Sequence, residues 1–128
     1  MPHYFNMKNK YLYHGSNKKI KGRLIPSLPE DLAESQHNKI KAIYASNDKR
    51  VAITMALIKP NNISASLYFK PPHAKVYRGW PKRKHIYIYT LPKQKFRENP
   101  KGSHQWVSRK AIKPVKIEEI EVKKWLYL

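Results

Sequence analysis

The sequence predicts an α+β domain with a two-layered β core and two short helices. Three observations carry this. Short runs rich in Ile, Val, Tyr and Phe recur along the chain, several alternating with polar residues as half-buried strands do. Helical spacing is confined to two short stretches in the first half. Pro and Gly punctuate the middle of the chain, at Pro71, Pro72, Gly79 and Pro81. At 128 residues the chain fits one domain, 1–128, because a domain of this size buries roughly two-thirds of the surface its unfolded chain exposes.

The first strand is expected over 9–14, where Tyr11 and Tyr13 alternate into His14 and Gly15. Ser27 then offers a helix cap, Pro29 suits a first turn and Glu30 stands three residues after the cap, so a helix is expected over 28–36. A strand over 40–46 leads into a second helix capped by Ser46 or Asn47, with Asp48 favouring the positive end of its dipole. The apolar face of that helix reads as Val51, Ala52, Met55 and Ala56, and Lys59, Pro60, Asn61 and Asn62 stop it. Strands follow over 64–70, 74–78, 85–91, 104–109 and 114–122, with a loop over 92–103 around Pro100 and Gly102. No internal repeat or low-complexity block is visible.

Composition narrows the chemistry. The chain has no cysteine, which excludes disulfides and thiolate zinc sites. The segment from Met1 to Lys8 lacks the apolar run of a signal peptide, and no stretch is apolar enough to span a bilayer, so a soluble cytoplasmic protein is expected, with no membrane partner. Histidines stand at 3, 14, 37, 73, 85 and 104, none at a His-x-x-x-His spacing, so no metal is expected. Only four glycines occur and no Gly-x-Gly-x-x-Gly, which excludes the common phosphate-cradling loops.

Charge is the most extreme property. Lys and Arg number 27 against 8 Asp and Glu, a formal net charge of +19. Such a surface draws polyanions by steering and counterion release, nucleic acid first and an acidic protein surface second. The lysines scatter along the whole chain, which is also what solubility alone produces. A basic aromatic stretch offers a specific candidate: Tyr77 and Trp80 to stack on unpaired bases, and Arg78, Lys82, Arg83 and Lys84 to neutralise phosphates. The same stretch also reads as a hairpin loop whose Trp caps the core and whose cations are solvated.

Four segments in order then point further: Tyr13-His14-Gly15-Ser16, Ile43-Tyr44-Ala45-Ser46 leading into a helix with Ala52 and Ala56, His85 to Pro92, and Gln105 to Pro114. Together they resemble small ADP-ribosyltransferases of the His-Tyr-Glu type, including the rifamycin-modifying enzymes and related bacterial and phage proteins. The resemblance covers nearly the whole chain and implies a split β-sandwich core with NAD as substrate. It implies that His14 holds the nicotinamide-proximal ribose, the Gly15 backbone the carboxamide and Tyr44 the nicotinamide ring, with Tyr13, Ser16 and Ser46 beside them. The residue types suit cleavage of a nicotinamide–ribose bond, which develops oxocarbenium character. An imidazole supplies one oriented hydrogen bond and an aromatic face matches a planar ring.

The third member of the triad departs from the pattern. Relatives place Glu where this chain has Gln105, and glutamine binds but cannot act as a base. Glu98, a few residues earlier, is the other candidate, since the rifamycin-modifying branch carries an acidic segment there; it also reads as a loop acid beside Arg97 or Lys95. The expectation is an NAD-dependent mono-ADP-ribosyltransferase acting on a nucleic acid or a nucleic-acid-associated protein. The alternative is a catalytically degenerate relative that binds nucleic acid or an acidic protein. An RNA 2′-phosphotransferase-like activity on the related fold would need further Arg and His positions that do not align. The small size also suits a phage or mobile element acting in a host cytoplasm.

Overall fold

A computed structural model of the chain describes residues 10–27, 41–58, 64–69, 72–78 and 84–127. Its elements are β1 (Tyr11–Ser16), β2 (Ile43–Ser46), α1 (Lys49–Ile58), β3 (Ser64–Phe69), β4 (Pro72–Arg78), β5 (His85–Pro92), β6 (Arg97–Glu98), β7 (Gln105–Ser108), β8 (Lys116–Glu121) and β9 (Leu126–Tyr127). The seven expected strands form, each within a few residues of its expected bounds. The helix expected over 28–36 lies outside the described residues, so α1 is the one α-helix described. The fold is a mixed α+β fold dominated by antiparallel sheet.

Six strands make one antiparallel sheet in the order β6-β7-β2-β1-β5-β8, and β3-β4-β9 make a second, smaller one. The long central hairpin-like pair is β1 with β5, in register from Tyr11 opposite Pro92 to Ser16 opposite Tyr87. Successive side chains on a strand point to opposite faces, so the large sheet buries two separate clusters. On one face Ile86 and Ile88 pack against Ala52, Ile53, Ala56 and Leu57 of α1, with Ala74 of β4 and Val122. On the other, Leu12, Ile43, Ala45, Tyr89 and Leu91 pack under Leu24 and Ile112. Each fully buried Leu or Ile contributes roughly 1.5–3 kcal/mol, so both faces are needed to hold a chain of this size.

Three local readings are corrected. The buried face of α1 is Ala52, Ile53, Ala56 and Leu57, whereas Val51 and Met55 are each 37% exposed. Both sets contain Ala52 and Ala56, the small residues that lie over Gly15; they differ in that Ile53 and Leu57, not Val51 and Met55, join Ile86 and Ile88 in the core. The cap is Asp48, not Ser46 or Asn47. Its carboxylate accepts from Arg50 N at 2.9 Å and its carbonyl from Val51 N at 3.1 Å, while Ser46 Oγ accepts from the Asp48 N–H at 3.0 Å. The span 92–103, expected as loop, carries a 3₁₀ turn over Lys93–Lys95 and the two-residue β6.

Candidate functional site

The sequence candidates meet where β1 and β2 part. These neighbours share one register position, Tyr13 opposite Ser46, although both strands continue beyond it. Continuing the register would bring Gly15 opposite Tyr44. Instead, the Tyr44 carbonyl takes its hydrogen bond from the side chain of His14, whose Nδ1 lies 2.6 Å away. A carbonyl only accepts, so Nδ1 carries the proton, and in the neutral ring Nε2 is then the acceptor nitrogen.

The direction of the Gly15 backbone follows from ladder alternation. Lys93 N donates to Lys10 O at 3.0 Å, which makes that opposed pair a hydrogen-bonded one, so Leu12, His14 and Ser16 exchange bonds with β5. Tyr13 and Gly15 therefore turn their N–H and C=O toward β2. At Tyr13 they meet Ser46; at Gly15 they point toward the side of β2 that carries Tyr44. Above the Gly15 Cα there is no room at all, because a Cβ built there would stand 2.0 Å from Ala52 O and 3.0 Å from the Ala56 Cβ. That face is therefore filled by α1, and a ligand at Gly15 would meet only its backbone edge, as the resemblance implies.

Strand alternation also decides which side chains share a face. His14 lies with Ala45 and Leu12, its ring centroid 6.2 Å from that of buried Tyr89. Tyr44 alternates with the buried Ile43 and Ala45 and so projects to the opposite face, the one that carries α1. His14 and Tyr44 thus project from opposite faces of the sheet and are joined through the Tyr44 carbonyl. Tyr13, Ser46 and Gln105 form one row across β1, β2 and β7, on the face of Tyr44. Ser16 and Ser46 use their hydroxyls to accept from the N–H two residues on, at Lys18 and Asp48, so both organise local turns.

The two candidates for the third position separate clearly. Gln105 is half-buried on β7, one strand from Tyr44, and its Nε2 donates to Asn99 O at 3.2 Å. Glu98 sits on β6 opposite Trp106, at the sheet edge and on the other face, where its Oε2 accepts the His104 N–H at 2.8 Å. Backbone N–H groups of Gly102 and His104 hold the Glu98 carboxyl below the usual carboxylate range, with small help from the His104 and Lys93 charges against burial. The carboxylate ties down a loop in which His104 takes a left-handed φ of 65°. Of the two, Gln105 is the one placed beside Tyr44 and Ser46.

Of the basic stretch, the backbones of Tyr77 and Arg78 end β4, and Trp80, Lys82 and Arg83 lie outside the described residues. Lys84 is exposed and lines a cleft of about 410 Å³ with Asn17, Lys18, Lys19, His85 and Tyr87. Sequence reasoning passed over Asn17, Lys18 and Lys19; their signal was a polar, cationic run directly after a strand. Among the described residues no group of three His, Cys, Asp or Glu is placed to hold a metal, and no helix is long and apolar enough to cross a membrane. No protein-family model, curated protein or solved structure matches the chain.

Proposed function

We propose that the chain is an NAD-dependent mono-ADP-ribosyltransferase of the split β-sandwich type, acting on a nucleic acid or a nucleic-acid-associated protein. One observation carries the reading: β1 and β2 pair at Tyr13 and Ser46 alone, and one residue further along β1 the His14 side chain donates to the Tyr44 carbonyl, beside the backbone edge of Gly15. A backbone N–H and C=O side by side complement a carboxamide, which has one acceptor and one donor edge. On this proposal the His14 imidazole, oriented by the Tyr44 carbonyl, contacts a ribose hydroxyl, and the Tyr44 ring lies against the nicotinamide from the other face. In this reading the nicotinamide enters edgewise between the strands, and Tyr13, Ser16 and Ser46 shape its rim. NAD would then be held by the sheet itself, without a glycine-rich loop.

The chemistry needs charge stabilisation as the nicotinamide leaves, and a preorganised group that supplies it is worth a few kcal/mol, or roughly a hundredfold or more in rate. Gln105 supplies a dipole and no charge. That residue supports the second reading, a binding module on the same scaffold without transfer, since Glu98 is occupied at the sheet edge. The two readings part in one experiment. Purified protein is incubated with NAD labelled on the ADP-ribose and with cell extract, and the products are digested with nuclease or protease. Label transfer that disappears in both His14→Ala and Tyr44→Ala is the expected result. No transfer and no NAD binding by the parent protein would reject the enzyme and leave the module.

A further inference from the structure

We infer that the cleft between the end of β1 and the start of β5 is a binding site for the phosphodiester backbone of a single-stranded nucleic acid. Three cations, Lys18, Lys19 and Lys84, come together there from two distant chain segments, with His85, Tyr87 and Asn17, around a concavity of about 410 Å³. No carboxylate is among its lining residues; Glu119 on β8 stands 3.8 Å from His85 Nε2, and Glu121 is opposite His85 in the β5–β8 ladder. A charge of +19 spread over a surface attracts any polyanion, but a concave site with cations on both banks holds a strand in place.

The cationic loop is also built, not merely exposed. Tyr89 is fully buried, and its hydroxyl accepts from Ile20 N at 2.6 Å and donates to Lys18 O at 3.0 Å. Ser16 Oγ accepts the Lys18 N–H at 3.1 Å. Three hydrogen bonds thus fix the backbone that carries Lys18 and Lys19 before a ligand arrives, which lowers the entropic cost of binding. Tyr87 and His85 supply ring faces on which unpaired bases stack. The register places Tyr87 opposite Ser16, on the face of His14, so the cleft opens beside the β1–β2 slot. A strand lying in it would run past the reaction centre proposed above; only this last step rests on the enzymatic reading, and the binding itself does not.

The test measures binding alone. A fluorescent single-stranded 12-nucleotide oligomer is titrated with the full chain over a range of salt, without NAD. Log affinity against log salt falls by about 0.7 for each phosphate neutralised on a single strand, so Lys18→Gln/Lys19→Gln/Lys84→Gln is expected to flatten the slope by about 2. Lys110→Gln/Lys113→Gln/Lys116→Gln, which removes equal charge elsewhere, is expected to leave the slope unchanged, as is His14→Ala. Equal losses in the two triple variants would show diffuse attraction and overturn the site. Displacement of the oligomer by millimolar NAD would give the cleft to the dinucleotide, and equal displacement by polyglutamate of the same charge would give it to an acidic protein; either result also overturns it.

Discussion

Three single residues carry separate parts of the packing and the proposed chemistry. At Gly15 the absent Cβ is what lets α1 lie on β1, since an added methyl would collide with backbone, at 2.0 Å from Ala52 O. Backbone cannot rotate aside as a side chain can. Gly15→Ala is therefore expected to destabilise the fold by about 3 kcal/mol or more, seen as a fall of roughly 10 °C in Tm; an unchanged Tm would mean that the helix does not rest there. Gln105 tests the chemistry. If it occupies the position of the missing acid, Gln105→Glu is expected to raise NAD cleavage roughly a hundredfold, while Glu98→Gln, at the sheet edge, leaves cleavage as it was. The reverse pattern in cleavage assays would move the third role to Glu98. Tyr89→Phe removes two partly buried hydrogen bonds and leaves Ile20 N and Lys18 O without their partner. A loss of about 1–3 kcal/mol in urea unfolding is expected.

Among the elements, α1 shows how local chemistry and packing divide the work. The Asp48 carboxyl is pushed up by burial, but the Arg50 side chain, the Arg50 and Val51 N–H groups and the Arg50 charge outweigh that and hold it below its usual 3.8. A folded value below the unfolded one means that this contribution to stability is complete above about pH 4 and is lost as pH falls through the lower folded value. Stability followed from pH 6 to pH 2 is expected to fall less steeply in Asp48→Asn, which keeps a capping acceptor but has no proton to take up. Parallel curves would remove Asp48 from the acid response. The element pattern was largely legible in the sequence. Seven strands could be read because their Ile, Val and Tyr residues alternate or cluster between Pro and Gly. The cap and inner face of α1 were misread because both depend on what lies opposite: Ser46, Asn47 and Asp48 are all good caps and the turn at Ser46 chooses among them, while packing on Ile86 and Ile88 brings Ile53 and Leu57 inward in place of Val51 and Met55. β6 and β9 are two residues each, too short for any periodicity.

At the scale of the whole molecule, the order of the motifs was legible and their facing was not. His14, Gly15 and Tyr44 stood out by residue type, yet which face each meets follows from strand register, and register is a property of the pairing between distant segments. The lysine cleft was hidden for the same reason: Lys18 and Lys84 are far apart in sequence and come together through the β1–β5 ladder. The single pairing of β1 with β2 has a mechanical consequence. It divides the large sheet into two panels, β6-β7-β2 and β1-β5-β8, that share one rung at Tyr13 and Ser46. With only that rung of backbone pairing, the seam is held by the His14–Tyr44 bond and by Leu12 against Ile43 and Ala45, and any guest lodged there would act as a further staple across it. Amide hydrogen exchange is expected to run faster at Gly15 and Tyr44 than along the β1–β5 ladder, and to slow there first when a guest is bound.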